Sequence, residues 1–280
     1  MIVVDKPKLN KIDVFNTCCA KVTSSKKSSI QKYLYTFLLN SASYENRALN
    51  AELYLLTSTI IPIDKNQHCG NIDELKKLYS GQMVPEDKPA RYFYDELMLL
   101  APLNKCPYCG IGKVSTLDHY LPKSIFPVFS ILPNNLVASC KDCNTGKSTS
   151  YASTKNTQTL HPYYDNYTNE QWLYARVLQT SPVSIQFYVN APANWSQVDK
   201  DRVQEHFNSY SLSERFSVEA ANTLAYLRDE FILHNSNSDD IQQELEKKAR
   251  TYEHRYKNSW ETAMFQALSQ SQWYWYGGYR

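Results

Sequence analysis

Apolar positions recur at intervals of three and four from residue 29 to about residue 59: Ile30, Tyr33, Leu34, Phe37 and Leu38, then Leu49, Leu53 and Leu56. That is the period of helices with one buried face. The same period predicts helices near residues 72 to 79 and 90 to 100, the second with Pro89 in a first-turn position and Pro102 at its close. From 106 to about 151 the pattern breaks into Gly, Pro, Asn and Cys at short intervals. Such a turn-rich stretch cannot bury much apolar surface by itself and needs a staple. TLHPYYDNY (159 to 167) reads as an aromatic, turn-forming connection, and WLYARVL followed by SIQFYVN as a hairpin turning at 180 to 182. Residues 196 to 207, 213 to 234 and 239 to about 273 have helical periodicity, the last with Glu246, Lys247 and Lys248 on a solvated face.

Composition places the chain among globular proteins: 280 residues, 42% hydrophobic, 21% charged, with 22 Tyr and only 7 Gly. No run of about 18 apolar residues is present, and the apolar start of MIVVDKPKLNK is too short for a secretory signal, so the expectation is a cytoplasmic protein with no membrane segment. A net charge of +2 says little about partners, but its distribution says more. Residues 1 to 32 carry seven Lys against Asp5 and Asp13; residues 101 to 150 carry five Lys against Asp118 and Asp142. Local basic stretches of this kind suit a polyanion, although solvated lysines are common without one.

Seven cysteines, an odd number with no export signal, read as metal ligands and free thiols before disulfides. Cys106-x2-Cys109 and Cys140-x2-Cys143 form two knuckles separated by thirty residues. Four thiolates around Zn2+ close a tetrahedral shell with no open position, so the expected role is structural. Metal binding would supply folding free energy that a thin core cannot. Cys18, Cys19 and Cys69 have no such spacing and are expected to be small core residues or free thiols.

Between the knuckles lies LDHYLPKS (117 to 124), and overlapping the second lies NNLVASCKDCNTGK (134 to 147). Over about 45 residues of the 280 the chain resembles the HNH nucleases in which paired CxxC knuckles surround a ββα-metal core. The resemblance implies hydrolysis of phosphodiester bonds with one hard divalent ion, Mg2+ or Mn2+. By position His119 is implied as general base and Asp118 as first ion ligand. Asn144 stands where many members place their last His, and implies the subset with Asn as second ligand. Asn135 matches the residue that braces the loop holding the base; Asn134 stands beside it, and only the following Leu-Val selects between them. Lys147, about one helical turn past Asn144, stands where it can meet a phosphate. If Asp118 and His119 lie on a strand their side chains point to opposite faces, so a bulge or twist is needed to bring them to one site. Pro122 suits the strand-to-loop transition where the family achieves this. His161 is expected to pack beside Tyr163 and Tyr164; the alternative is an approach to the ion.

LDHYLPKS, HPYYDNY and WSQVDKDRVQEHF are also similar to HNH proteins found beside an ATPase in bacterial anti-phage systems of the Septu kind, which implies an ATPase partner subunit. The expected fold is α+β: a mainly helical region over 1–103, a zinc-stapled nuclease module over 104–167, and a hairpin with a helical region over 168–280. The expected function is a DNA endonuclease of anti-phage defence. An RNase on the same core, or a zinc-stapled module that binds nucleic acid or a partner without cutting, are the alternatives. The aromatic C-terminus, Trp273 to Tyr279, is expected to dock on its own core, with a partner or base-stacking surface as the alternative.

Overall fold

A computed structural model of the chain describes residues 1–57, 72–147 and 149–280. The expected end of the first helical stretch near Thr59, and Cys69, lie outside the described residues. The fold is mixed α+β, in two compact units, Ile2–Asp165 and Asn166–Arg280, with Met1 grouped with the second. No helix among the described residues is long and apolar enough to cross a membrane.

The first unit opens with a helix the apolar spacing had not indicated, α1 (Lys11–Ala20). Its start is legible in retrospect: the Asn10 side chain accepts from the backbone N–H groups of Ile12 and Asp13, the usual duty of an N-cap. Val14, Phe15, Cys18 and Cys19 form its buried face. Two further helices follow, α2 (Ser24–Gln31) and α3 (Leu34–Leu49), the latter burying Phe37 and Tyr44. The next helix, α4 (Ile72–Leu78), continues into a π-turn over Tyr79–Met83. In α5 (Arg91–Leu99) the cap is Ala90, so Pro89 precedes the helix and does not occupy its first turn.

The turn-rich segment contributes strands β1 (Thr116–His119) and β2 (Leu136–Ser139), paired antiparallel, and then helix α6 (Lys141–Lys147). The register sets Thr116 opposite Ser139 and Asp118 opposite Val137. Because side chains alternate along a strand, Thr116, Asp118, Val137 and Ser139 share one face, and Leu117 and His119 belong to the other. The first face meets α6, where Asn144 reaches Thr116 and Lys147 reaches Asp118. The other side is covered from the N-terminal part of the unit: Tyr79 donates to the Leu117 carbonyl at 3.2 Å, Ser130 donates to the Leu75 carbonyl at 2.7 Å, and Tyr44 packs edge-on to Phe129. The helices therefore supply the apolar cover that the segment lacks, and both belong to one unit.

In the second unit β3 (Leu173–Leu178) and β4 (Ser184–Val189) form the expected hairpin, with Ile185 and Phe187 buried. Helices α7 (Gln197–Ser209) and α8 (Leu212–Leu233) follow, the first capped by Ser196. The single helix expected from 239 to 273 is instead two, α9 (Ser238–Arg255) and α10 (Trp260–Ser269). Asn258, between them, explains the break. Its side-chain oxygen accepts from the backbone of Trp172 and Leu173, and its amide donates to the carbonyls of Tyr167 and Glu170. A continuous helix would turn this side chain away from the strand entry that needs it. At the C-terminus Tyr274 and Tyr279 are buried, Tyr279 packs edge-on to Phe231, and Trp275 donates to the Leu268 carbonyl. The tail docks on its own unit, and Tyr276 is exposed.

Replacing Asn258 with Ala leaves backbone groups at the entry to β3 without partners. The expected loss is about 2 kcal/mol of unfolding free energy, measured by urea denaturation.

Candidate functional site

All four knuckle cysteines are buried and their sulfur atoms lie within 4.8 Å of one another. The Cys109 and Cys140 sulfurs are 3.9 Å apart, close to the edge of about 3.8 Å that a tetrahedral shell with Zn–S bonds of about 2.3 Å requires. None of the four is in a disulfide. The first knuckle is shaped by its backbone: the Gly110 N–H donates to the Cys106 carbonyl at 2.7 Å, and the Gly112 N–H donates to the Cys109 sulfur. Gly110 has a φ of +76°, a conformation open to glycine at no steric cost. The second knuckle straddles the junction of β2 and α6, where the Asn144 N–H donates to the Cys140 carbonyl. Four buried cysteines are thus positioned to bind one metal ion, and the donor set fits zinc. Cys18 and Cys19 belong to the α1 core; burial pushes their thiols up to about 12 and about 11, which makes them inert.

Asp118 is buried on the face of the strand pair that meets α6. Its Oδ2 accepts from the Tyr108 hydroxyl at 3.1 Å and from the Lys147 ammonium at 3.1 Å. His119 is the last residue of β1, where the chain leaves the strand for the turn at Pro122. Its ring lies against Tyr79, at 4.4 Å between centroids, with Nε2 at 2.9 Å from the Ser130 carbonyl. A carbonyl only accepts, so Nε2 carries the proton and Nδ1 keeps its lone pair. Burial lowers the His119 pKa to about 3, with further lowering by the Lys123 and Lys147 cations, so the ring is neutral at cellular pH. Asp118 and His119 keep the opposite facing that strand alternation demands, and Lys147 joins their two sides. Its ammonium also donates to the carbonyls of His119, at 2.7 Å, and Tyr120.

Asn135 is fully buried and holds the loop after β1 from three directions. Its side-chain oxygen accepts from the Leu121 N–H at 2.7 Å, and its amide donates to the carbonyls of Leu121 and Phe129. Asn134 turns elsewhere and donates to the Tyr164 hydroxyl at 2.8 Å. Asn144 is half-buried, with its amide nitrogen 3.4 Å from the Thr116 hydroxyl. Lys147 points inward: its side chain is 9% exposed and has three oxygen acceptors, and burial lowers its pKa. His161 is occupied at both nitrogens, accepting from the Tyr163 N–H at Nδ1 and meeting the Tyr44 hydroxyl at 3.0 Å through Nε2. Its ring lies against Tyr120 and meets Tyr164 edge-on.

Two residues near this cluster carry no signal as site residues in the sequence, and a third, Lys123, appears there only as one lysine of the basic stretch. Tyr79 lies forty positions from the His119 it packs against, and Tyr108 was hidden as a filler between two cysteines. Lys123 is visible inside LPKS; its ammonium sits 4.5 Å over the Tyr79 ring, where partial burial lowers its pKa. No carboxylate pairs with it among the described residues.

The chain is 34% identical over 255 residues to Protein ea31 of Escherichia phage lambda, covering 85% of this chain and 86% of that protein. The chain belongs to the ea31 family. The matched span is long enough to take in residues of both compact units, so the ea31 likeness is not confined to the cysteine-bearing segment. No family model matches the chain, and no solved structure does.

Asn135→Ala would remove the partner of the buried Leu121 N–H and of the Leu121 carbonyl, and one of the two donors to the Phe129 carbonyl. The expected loss of stability is roughly 3 kcal/mol, measured by urea denaturation, against less than about 0.5 kcal/mol for a surface control such as Lys155→Ala.

Proposed function

We propose that this member of the ea31 family is a metal-dependent endonuclease of the HNH type that hydrolyses DNA phosphodiester bonds. The observation that carries the proposal is His119, a neutral imidazole fixed by Nε2–H to the Ser130 carbonyl. Its Nδ1 makes no hydrogen bond among the described residues, and it stands at the end of the strand that bears Asp118. Two antiparallel strands followed by a helix, with Asp118 and Asn144 on the face where strand pair and helix meet, are the arrangement the resemblance implies.

The donors on that face are of the type a hard cation takes: the Asp118 carboxylate, the Asn144 amide, the Thr116 hydroxyl, and the Ser139 hydroxyl, which is buried with no hydrogen-bond partner among the described residues. Asp118 and Asn144 would hold Mg2+ or Mn2+. When bound, the ion supplies positive charge for the crowded phosphate and the departing 3′ oxygen. The residues of this chain do the rest. His119 takes a proton from water at Nδ1 as the water oxygen bonds to phosphorus, and the bond from phosphorus to the 3′ oxygen breaks with its electron pair on that oxygen, which takes a proton from solvent water to leave as the 3′-hydroxyl. Asn135 keeps the loop carrying His119 from shifting. Lys123, with no carboxylate partner among the described residues, offers its charge to the incoming phosphate, and an anion there offsets the repulsion that adds to burial in lowering the His119 pKa. The four-cysteine site is separate and structural, with zinc as its ion.

The resemblance to Septu-type proteins extends the proposal to an anti-phage defence effector regulated by an ATPase subunit.

Supercoiled plasmid incubated with purified protein in Mg2+ or Mn2+ should be nicked, and His119→Ala should lose about 100-fold or more of the rate. Equal rates for both proteins would sink the assignment of the base. Cleavage of RNA with DNA left intact would move the function to an RNase on the same core.

A further inference from the structure

Tyr108 stands between the two cysteines of the first knuckle, in Cys106-Pro107-Tyr108-Cys109, yet its hydroxyl leaves the knuckle and donates to Asp118 Oδ2 at 3.1 Å. The residue is fully buried. Its backbone is fixed from two sides. The flanking sulfurs belong to the four-cysteine cluster, and the Ile2 N–H donates to the Pro107 carbonyl at 2.8 Å. A tyrosine so placed cannot swing away from the carboxylate without disturbing a knuckle. Lys147 donates to the same carboxylate oxygen at 3.1 Å. Oδ2 thus carries two donors, and Oδ1 makes no hydrogen bond among the described residues.

We propose that Tyr108 is a positioning residue that transmits the geometry of the four-cysteine centre to Asp118, holding the carboxylate by Oδ2 so that Oδ1 is presented to the divalent ion. The inference rests on Asp118 being an ion ligand, as argued above. A carboxylate at the end of a short strand has two free torsions, and a ligand oxygen misplaced by rotation loses affinity even when its charge is intact. Hydrogen-bonded partners of metal-ligating carboxylates contribute in this way. The consequence is a coupling between two centres that share no ligand: the state of the thiolate site changes the ion affinity of the oxygen site, and by linkage the reverse holds to the same degree. A tyrosine that merely fills space in the knuckle would show no such link.

The test is Mn2+ affinity of the full-length, zinc-loaded protein, followed by electron paramagnetic resonance of free Mn2+, together with zinc content and melting temperature. The wild-type protein should bind Mn2+ at a site that Asp118→Asn removes. Tyr108→Phe, which deletes only the hydroxyl, should weaken that binding about tenfold or more while zinc per chain stays as in wild type. Should Tyr108→Phe fail to fold, fluorotyrosine placed at position 108 reports the same contact. Its fluorine resonance should move on Mg2+ addition in the wild-type background and stay still in Asp118→Asn. Mn2+ binding that Tyr108→Phe leaves unchanged, or a fluorine resonance indifferent to Mg2+, overturns the inference and leaves Asp118 as a ligand. A wild-type protein that binds no Mn2+ removes the ligand role itself, and the inference with it.

Discussion

Four sulfur atoms within 4.8 Å of one another fasten the two ends of a turn-rich segment whose buried apolar side chains are covered in part by the N-terminal helices. The rest of the first unit depends on that closure. One knuckle precedes β1, and the other spans the end of β2 and the first turn of α6, so bringing the sulfurs together fixes where the helix lies on the strand pair. That placement in turn puts Lys147 and Asn144 over Asp118 and Thr116. Thiols this close and this well buried repel one another once ionised, and a divalent cation removes the repulsion while satisfying all four. A disulfide would fasten one pair and leave the other; the shared shell fastens both.

The second constraint is strand alternation. Asp118 and His119 are neighbours in sequence, so their side chains must diverge, and they do: one toward the knuckle tyrosine and α6, the other toward Tyr79 and the Ser130 carbonyl. Placing His119 at the last position of β1 lets the following turn, held by Asn135, aim the ring independently of the carboxylate. The inward Lys147 links the two sides through one carboxylate oxygen and two backbone carbonyls. A lysine that meets a phosphate and a lysine that braces the loop differ only in where the ammonium ends, and sequence position alone does not decide that. Here the acceptors of three successive residues, Asp118 to Tyr120, claim it.

What could be read from the sequence was what depends on spacing. The knuckles, the hairpin of β3 and β4, and the helices α3, α4, α5, α7 and α8 follow from short-range periodicity and cysteine pairs. What depends on long-range partners could not be read. The break between α9 and α10 exists because Asn258 serves backbone groups of Trp172 and Leu173, more than eighty residues earlier. Tyr79 and Tyr108 enter the site through contacts that leave no trace in local pattern, and α1 went unseen although Asn10 and its buried face were present in the sequence. The choice between Asn134 and Asn135 became clear only from their hydrogen bonds, one to Tyr164 and the other to Leu121.

The central claim is that two cations do different work: one held by sulfur for the fold, one held by oxygen for hydrolysis. Measuring DNA cleavage and bound zinc in parallel on protein passed through EDTA and gel filtration tests it most directly. The account predicts that cleavage vanishes and returns on adding Mg2+, while about one zinc per chain stays bound throughout. Cleavage that persists without added Mg2+, or that is restored only by returning lost zinc, would contradict it.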